Sequence, residues 1–509
     1  MEMRMGAIRF FLLLCLFLIM VPAYVFGGGF TFDGIGVKAN GMGGAFRAVA
    51  DDWSAAYYNP AGYYQIQDNQ FAFNTVFFHN RYWITPNVFW NGTRGERYET
   101  GFFNGQEIAN KHAVSHRLQG GILARFPLLE NETVIGFSII PLYNQNQNWE
   151  LMQLIPAHDN SASFPSNQFG IKLDATAYQL TFASGFMEDR LSVGVGLSLV
   201  RADLIYNNIS LRNNPMPAPL NDRPHDKIPE YYRNEGDGVG YGFRIGLLYD
   251  ITDRMKFAAT YSAVSSIDIS GRSQFEFYMG ENPNTTVYIT SQQWEELLFM
   301  VGEVIEIVSD FETTLDLPAT FGGGIAYEVN DRLTLSLDAE MVFWSKFKGF
   351  DFDFSNFEAA PGLDYFRNTG YLTDTTYDRA QNMFFTDLTA PIAWKDAGRV
   401  MLGVNYKTTD FLDLRAGFAA DQSAVDWNNA GGVTQIPQFF DLGTKYSYSF
   451  GFSFNIDVWS LEFATIYTHQ PDYATNLKLY QDGDELMDNI TAWYSGDNYR
   501  TVLGFNYRF

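Results

Sequence analysis

His112 and His116 stand four residues apart with Ser115 between them, the first place in this chain where side chains could do chemistry. Two histidines at that spacing are half of a metal site, and a serine beside a histidine is half of a hydrolase site. Neither half is completed. The segment NKHAVSHRLQ supplies no third ligand, and no Gly-x-Ser-x-Gly elbow stands out. No phosphate-binding loop or dinucleotide fingerprint stands out either. The residues therefore point away from an enzyme, and neither a metal nor a cofactor is expected.

The elements that carry these residues are set by composition. Of 509 residues 17% are aromatic and only 18% charged, which is low for a soluble protein of this length. A net charge of −24 argues against nucleic acid and against anionic headgroups as partners of the whole chain, and acidic loops are free to stay solvated or to meet divalent cations. Residues 1–27 have the form of a secretory leader, with Arg4 and Arg9 before the apolar run Phe10 to Val21 and with Val25 and Gly27 placed for cleavage before Gly28. The single cysteine, Cys15, lies in that leader, so the mature chain is expected to have no thiol and no disulfide. Beyond it no apolar run reaches 18 residues, which leaves a secreted β-protein or a membrane β-barrel.

Short turns choose between these. GFMEDRLSVGVG (185–196), LYDITDRMKFAATY (248–261), AYEVNDRLTLSLD (326–338) and NYKTTDFLDLRAG (405–417) each set an Asp/Asn turn between stretches of alternating hydrophobicity. FNIDVWSLEF and LLENETVIGF are looser versions. Six such turns give twelve strands, and one more at each end (from Gln70 and to Phe509) makes fourteen. An even count, with both ends on the side of the short turns, is the plan of a transmembrane antiparallel barrel, whose closure leaves no strand edge in hydrocarbon. Long external connections are expected near 80–117, 144–171, 204–237, 273–311, 347–396, 422–442 and 469–497.

The segment GMGGAFRAVADDWSAAYYNPAG, just behind the leader, fits neither strand nor long helix. Its run Ala50-Asp51-Asp52 followed by Asn59-Pro60-Ala61 resembles the N-terminal plug of the FadL/TodX outer-membrane transporters of long-chain fatty acids and aromatic hydrocarbons. LPATFGGGIAYEVNDRLTLSLDAEMVFWSKF (317–347) and WKDAGRVMLGVNYKTTDFLDLRAGFAADQSAV (394–425) resemble successive strand pairs of that family. The resemblance implies a fourteen-stranded barrel over residues 70–509 with a small hatch over 28–69, in the outer membrane of a Gram-negative bacterium, both termini periplasmic. A lumen that wide cannot be filled by wall side chains alone. Gly41, Gly43 and Gly44 would let the hatch backbone approach the wall, Asp51 and Asp52 would cap a short helix through Tyr58, and Pro60 would end it.

The same resemblance implies capture outside, binding in the lumen, rearrangement of the hatch and sideways exit through a kinked third strand. Thr290–Asp310 has the spacing of an amphipathic helix, with Trp294, Leu297, Leu298, Val301, Ile305 and Val308 on one face for ligand capture or for packing on a neighbouring loop. Pro141, in TVIGFSIIPLYNQ, either breaks the strand interior as a lateral gate or sits harmlessly at its upper end. Arg201 resembles the family's carboxylate-binding arginine, with Asp203 as the other register. Lys346 and Lys348 are further candidate cations. Expected partners are a hydrophobic small molecule, outer-membrane lipid and the barrel assembly machinery, with no nucleic acid and a monomeric chain. A different class of function, a structural or secretion-associated barrel binding protein partners through its loops, fits the long loops as well.

Overall fold

A computed structural model of the chain describes residues 29, 31, 33–91, 97–99, 101–111, 115–128, 131–154, 164–213, 227–278, 304–359, 388–391, 394–425, 443–477 and 489–509. Fourteen antiparallel strands close into a barrel. They are β1 (Gln70–Asn91), β2 (Ser115–Leu128), β3 (Asn131–Trp149), β4 (Phe169–Phe186), β5 (Leu191–Asn213) and β6 (Lys227–Thr252). Four more are each in two segments: β7 (Met255–Val264 and Ile267–Tyr278), β8 (Val304–Leu315 and Thr320–Asn330), β9 (Leu333–Val342 and Gly349–Ala359) and β10 (Leu388–Pro391 and Ala397–Thr409). The last are β11 (Leu412–Asp421), β12 (Lys445–Ile456), β13 (Trp459–Leu477) and β14 (Asn489–Arg508). Closure is a continuous ladder from Gln70↔Arg508 to Phe89↔Asn489.

Alternation decides which face meets lipid. Phe71, Phe73, Ile122, Phe137, Leu180, Leu197, Phe243 and Leu503 are exposed, whereas the residues between them are mostly small, polar or buried. A water-soluble protein would not show so continuous an apolar belt. The expected strand count and the position of the short turns hold.

The expected loop boundaries do not. β5 runs to Asn213 and β6 starts at Lys227, well inside the loop expected over 204–237. The 26 residues of β6, at about 3.3 Å each and tilted ~45°, rise roughly 60 Å, against an apolar band of about 25 Å. Above the membrane the outer face turns polar while the ladder continues, so the hydrophobic alternation stops before the strand does. The helix expected over 290–310 is corrected in its last part: Val304–Leu315 is strand, with Ile305 opposite Phe277 and Val308 opposite Gln274. Trp294, Leu297, Leu298 and Val301 lie outside the described residues. His112 does too, and His116 stands on β2 rather than in a loop.

Residues 33–66 sit inside the ring. They form two short helices, Val37–Gly41 and Ala55–Tyr58, and a 3-10 turn, Pro60–Gln65. The aspartates do not cap the helix Ala55–Tyr58, whose N-cap is Ser54 with no side-chain capping bond; Asn59 instead caps the following 3-10 turn, its side chain accepting from the Ala61 N–H at 3.1 Å, and Pro60 begins that turn. Asp51 instead pairs with Lys38, and Asp52 accepts from the Ser54 N–H at 2.8 Å. The wall makes room with inward glycines. A Cβ on Gly194 would lie 2.2 Å from the Pro60 carbonyl carbon, and one on Gly417 would lie 2.1 Å from the Gly43 nitrogen.

Candidate functional site

The wall is incomplete between β2 and β3. Their ladder runs from Leu128↔Asn131 only to Gly120↔Ile139, although β2 continues on β1 to Ser115↔Phe78 and β3 continues on β4 to Trp149↔Phe169. The cause lies in the sequence. Pro141 has no N–H to donate, and the β3–β4 register shifts between Pro141↔Thr176 and Tyr143↔Ala175, leaving Leu142 as an extra residue that bends β3. Pro141 thus occupies the strand interior, not its upper end. The break is bounded above by the first long connection, whose Lys111 N–H donates to the Asn148 carbonyl at 2.8 Å. A polar strap crosses it, since the Arg117 guanidinium of β2 reaches Asp174 of β4, which also accepts from Asn144 of β3.

Behind the break lies a small hollow. Leu142, Tyr143, Val264 and Pro318 give it apolar surface, and Thr31, Tyr57 and Arg244 give it polar groups. Thr31 also pairs through its backbone with Tyr143 of β3. A second small hollow lies on the opposite side and is lined by charges that pair with one another. There Asp33 joins Arg399 to Arg500, the latter at 3.2 Å. Burial alone would raise the Asp33 carboxyl, but the two guanidiniums hold it down at about 2.

The inner segment is anchored by a buried ion network. Asp338 of β9 accepts from the Phe46 N–H at 2.9 Å and the Arg47 N–H at 2.8 Å, and the Arg47 guanidinium meets Glu340, Asp338 and Thr260. Asn59 adds bonds to the Arg47 carbonyl at 3.0 Å and, on the wall, the Leu247 carbonyl at 3.1 Å.

Asp52 is the strained member of this segment. Burial, with Glu462 and Asp51 near it, raises its carboxyl to about 7 against the Ser54 and Lys38 contacts that favour the anion. A folded-state value above the unfolded one means that its contribution is full below about pH 4 and is lost as pH rises to about 7. Asp52→Asn keeps the oxygen that accepts from Ser54. It is expected to melt several degrees above the wild type at pH 8 and level with it at pH 4, read by thermal denaturation of the purified barrel.

The site residues expected from sequence fare unevenly. Arg201 is corrected: it shares the outer face with Leu197 and Leu199, its side chain is 53% exposed, and it bonds Asp203 at 3.1 Å. Strand parity places both residues outside the barrel, where a long cationic side chain reaches the membrane interface. Lys346 and Lys348 fall in the interruption of β9, exposed, with Lys346 3.7 Å from Asp316. Arg244 is one of the lumen cations that sequence reasoning missed. Its signal was legible in GYGFRIGLLY, where Tyr241, Phe243, Ile245 and Leu247 face lipid and an arginine shares the opposite row with glycines.

A closed barrel with an apolar belt, short turns at one end and a lumen filled by its own N-terminal segment is an outer-membrane transport barrel. The chain belongs to the family described as outer membrane protein transport protein (OMPP1/FadL/TodX), which matches residues 18–509. It is 20% identical over 494 residues to outer membrane protein P1 of Haemophilus influenzae, covering 92% of this chain and 93% of that protein. It is 24% identical over 218 residues to a 47 kDa outer membrane protein of Pasteurella multocida, a match spanning 42% of either chain. Among solved structures, a Pseudomonas aeruginosa FadL homologue superimposes with a TM-score of 0.67 at 17% identity, covering 95% of this chain and 100% of that one. The Pseudomonas putida toluene transporter TodX gives 0.63 at 15%, covering 94% and 99%. These two likenesses show the fold. The protein resides in the outer membrane of a Gram-negative bacterium.

Proposed function

We propose that this barrel carries hydrophobic small molecules, long-chain fatty acids or hydrocarbons, passively across the outer membrane, and that they leave sideways through the break between β2 and β3. The observation that carries the reading is the end of the β2–β3 ladder at Gly120↔Ile139, well short of the top of either strand, with a part-apolar hollow behind it. A wall that gives up direct strand pairing at this height departs from the continuous closure that hydrocarbon favours, and a barrel serving only as scaffold gains nothing from it. In this reading the segment over 28–69 is a hatch: Thr31 lies between the lumen and the break, so its shift away from Tyr143 connects the two. The outer-membrane relatives and the toluene transporter TodX support the class of cargo without naming it for this chain.

The test is uptake into cells producing the barrel, with a fluorescent long-chain acid and a radiolabelled arene as probes. Uptake of either above that of cells lacking the barrel is the expected result. Uptake of neither, with a protein partner recovered stoichiometrically on the folded barrel, would favour the structural or secretion-associated alternative.

A further inference from the structure

Arg117 joins two faces of the wall that strand geometry keeps apart. It belongs to the inward row of β2, opposite Val76, and shares that row with Gln119, which donates to the Gly34 carbonyl of the inner segment at 2.6 Å. Its neighbours His116 and Leu118 point outward. Asp174 belongs to the outward row of β4, with the exposed Tyr178 and Leu180 below it. β3 lies between these strands, so the Arg117–Asp174 pair has room only where the β2–β3 ladder has ended at Gly120↔Ile139. The guanidinium crosses the break from the lumen row to the outer row and occupies it.

Neither partner depends on the pair alone. Arg117 also donates to the His116 carbonyl at 3.0 Å, and Asp174 also accepts from Asn144 of β3. When the pair parts, each charge keeps a bond, which spares it the cost of a stranded group. The two side chains are 25% and 19% exposed, so water shares in the compensation. Closing is favoured in turn. Asp203 stands directly opposite Asp174 on β5, and like charges across a ladder repel, so the site left by Arg117 draws a cation back. A wall closed by backbone opens only when many ladder bonds break together, whereas a wall closed by one side chain opens when one pair parts.

We propose that Arg117 is the latch of the side opening: paired with Asp174 it fills the break, and cargo passes from the hollow to the membrane when the pair parts and the side chain withdraws along β2. The inference rests on the sideways exit proposed above and adds the residue that sets its rate. A latch of this kind acts on passage and not on a particular head group, so an acid and a neutral arene feel it alike.

The experiment measures initial uptake of a fluorescent long-chain acid into cells producing the barrel, with a small hydrophilic dye as the control for leakage and heat-modifiable gel migration as the check of folding. Arg117→Met and Asp174→Ala are each expected to raise uptake about fivefold, the worth of one ion pair with partial access to water. The double variant should do no more than either alone, because both act through the same pair. Arg117→Lys should stay near the wild type, and dye entry should be unchanged throughout. Arg117→Cys with Asp174→Cys, bridged by a bifunctional methanethiosulfonate, should lose uptake and regain it on reduction; Cys15 is the chain's one cysteine and lies in the expected leader. Folded Arg117→Met and Asp174→Ala that take up acid at or below the wild-type rate overturn the latch, and a cross-link that still blocks uptake then leaves the sideways exit standing. Faster uptake accompanied by dye entry is a leaking barrel and also overturns the latch. A cross-link without effect on uptake overturns both.

Discussion

Cells carrying a barrel with Leu142 deleted and Pro141 replaced by Val are expected to lose uptake altogether while the barrel still folds. The pairing on both sides of the bulge explains the choice of variant. Ile140 lies opposite Ala177, Pro141 opposite Thr176, Tyr143 opposite Ala175 and Asn144 opposite Asp174. Leu142 is the one residue without an opposite number, so removing it joins the two ladders in phase. Tyr143 stays on the inner face and Asn144 on the outer. A deletion elsewhere in β3 would turn every later side chain to the wrong face. With the bend gone and an N–H restored at 141, β3 is free to continue its ladder with β2 above Gly120↔Ile139. Uptake of a fluorescent long-chain acid is the readout, with heat-modifiable migration as the control of folding. Uptake at the wild-type rate in a correctly folded variant would show that cargo leaves by another path.

Arg47→Met is expected to release the inner segment from the wall. Asp338 has no exposed surface and Glu340 is 7% exposed, and Arg47 is the cation that meets both. Removing one member of a buried pair leaves the other charged and desolvated, a cost of about 3–5 kcal/mol. Two N–H bonds to Asp338 remain, from Phe46 and Arg47, and offset part of it. Two readouts follow: a lower melting temperature, and steady ion conductance in planar bilayers where the wild-type lumen stays blocked. The double variant Arg47→Met with Glu340→Gln should recover part of the loss, because it removes one of the two uncompensated charges. Conductance and melting both unchanged in Arg47→Met would mean that glycine-tight packing, not the ion network, holds the segment.

How legible was this protein before its structure? The turns were legible because a short hairpin needs Asp, Asn or Gly at fixed offsets, and every such signal in the membrane region marks a real reversal. The wall strands were legible over the stretch that lipid enforces and illegible above it, as β5 and β6 show by running past Arg201 and Asp203 without apolar alternation. Val304 to Asp310 read as the end of a helix because its apolar residues also suit a strand buried on one side, and short apolar runs do not separate the two periods. Pro141 could be placed at the gate or at the strand end, and the choice depended on how far β3 continues.

The sequence by itself determined what is periodic or covalent: fourteen alternating strands, the reversals between them, a proline that cannot donate, and an irregular glycine-rich segment that fits no wall position. Those properties are local, fixed by residue types a few positions apart. Only the tertiary structure decided which charges find partners. Arg201 and Arg244 are alike as residues, yet one lies outside the barrel beside Asp203 and the other inside it beside Tyr57. Charge pairing across a barrel joins residues hundreds of positions apart, as Arg47 and Glu340 do. Which arginine finds a carboxylate is therefore settled by closure of the wall around the inner segment.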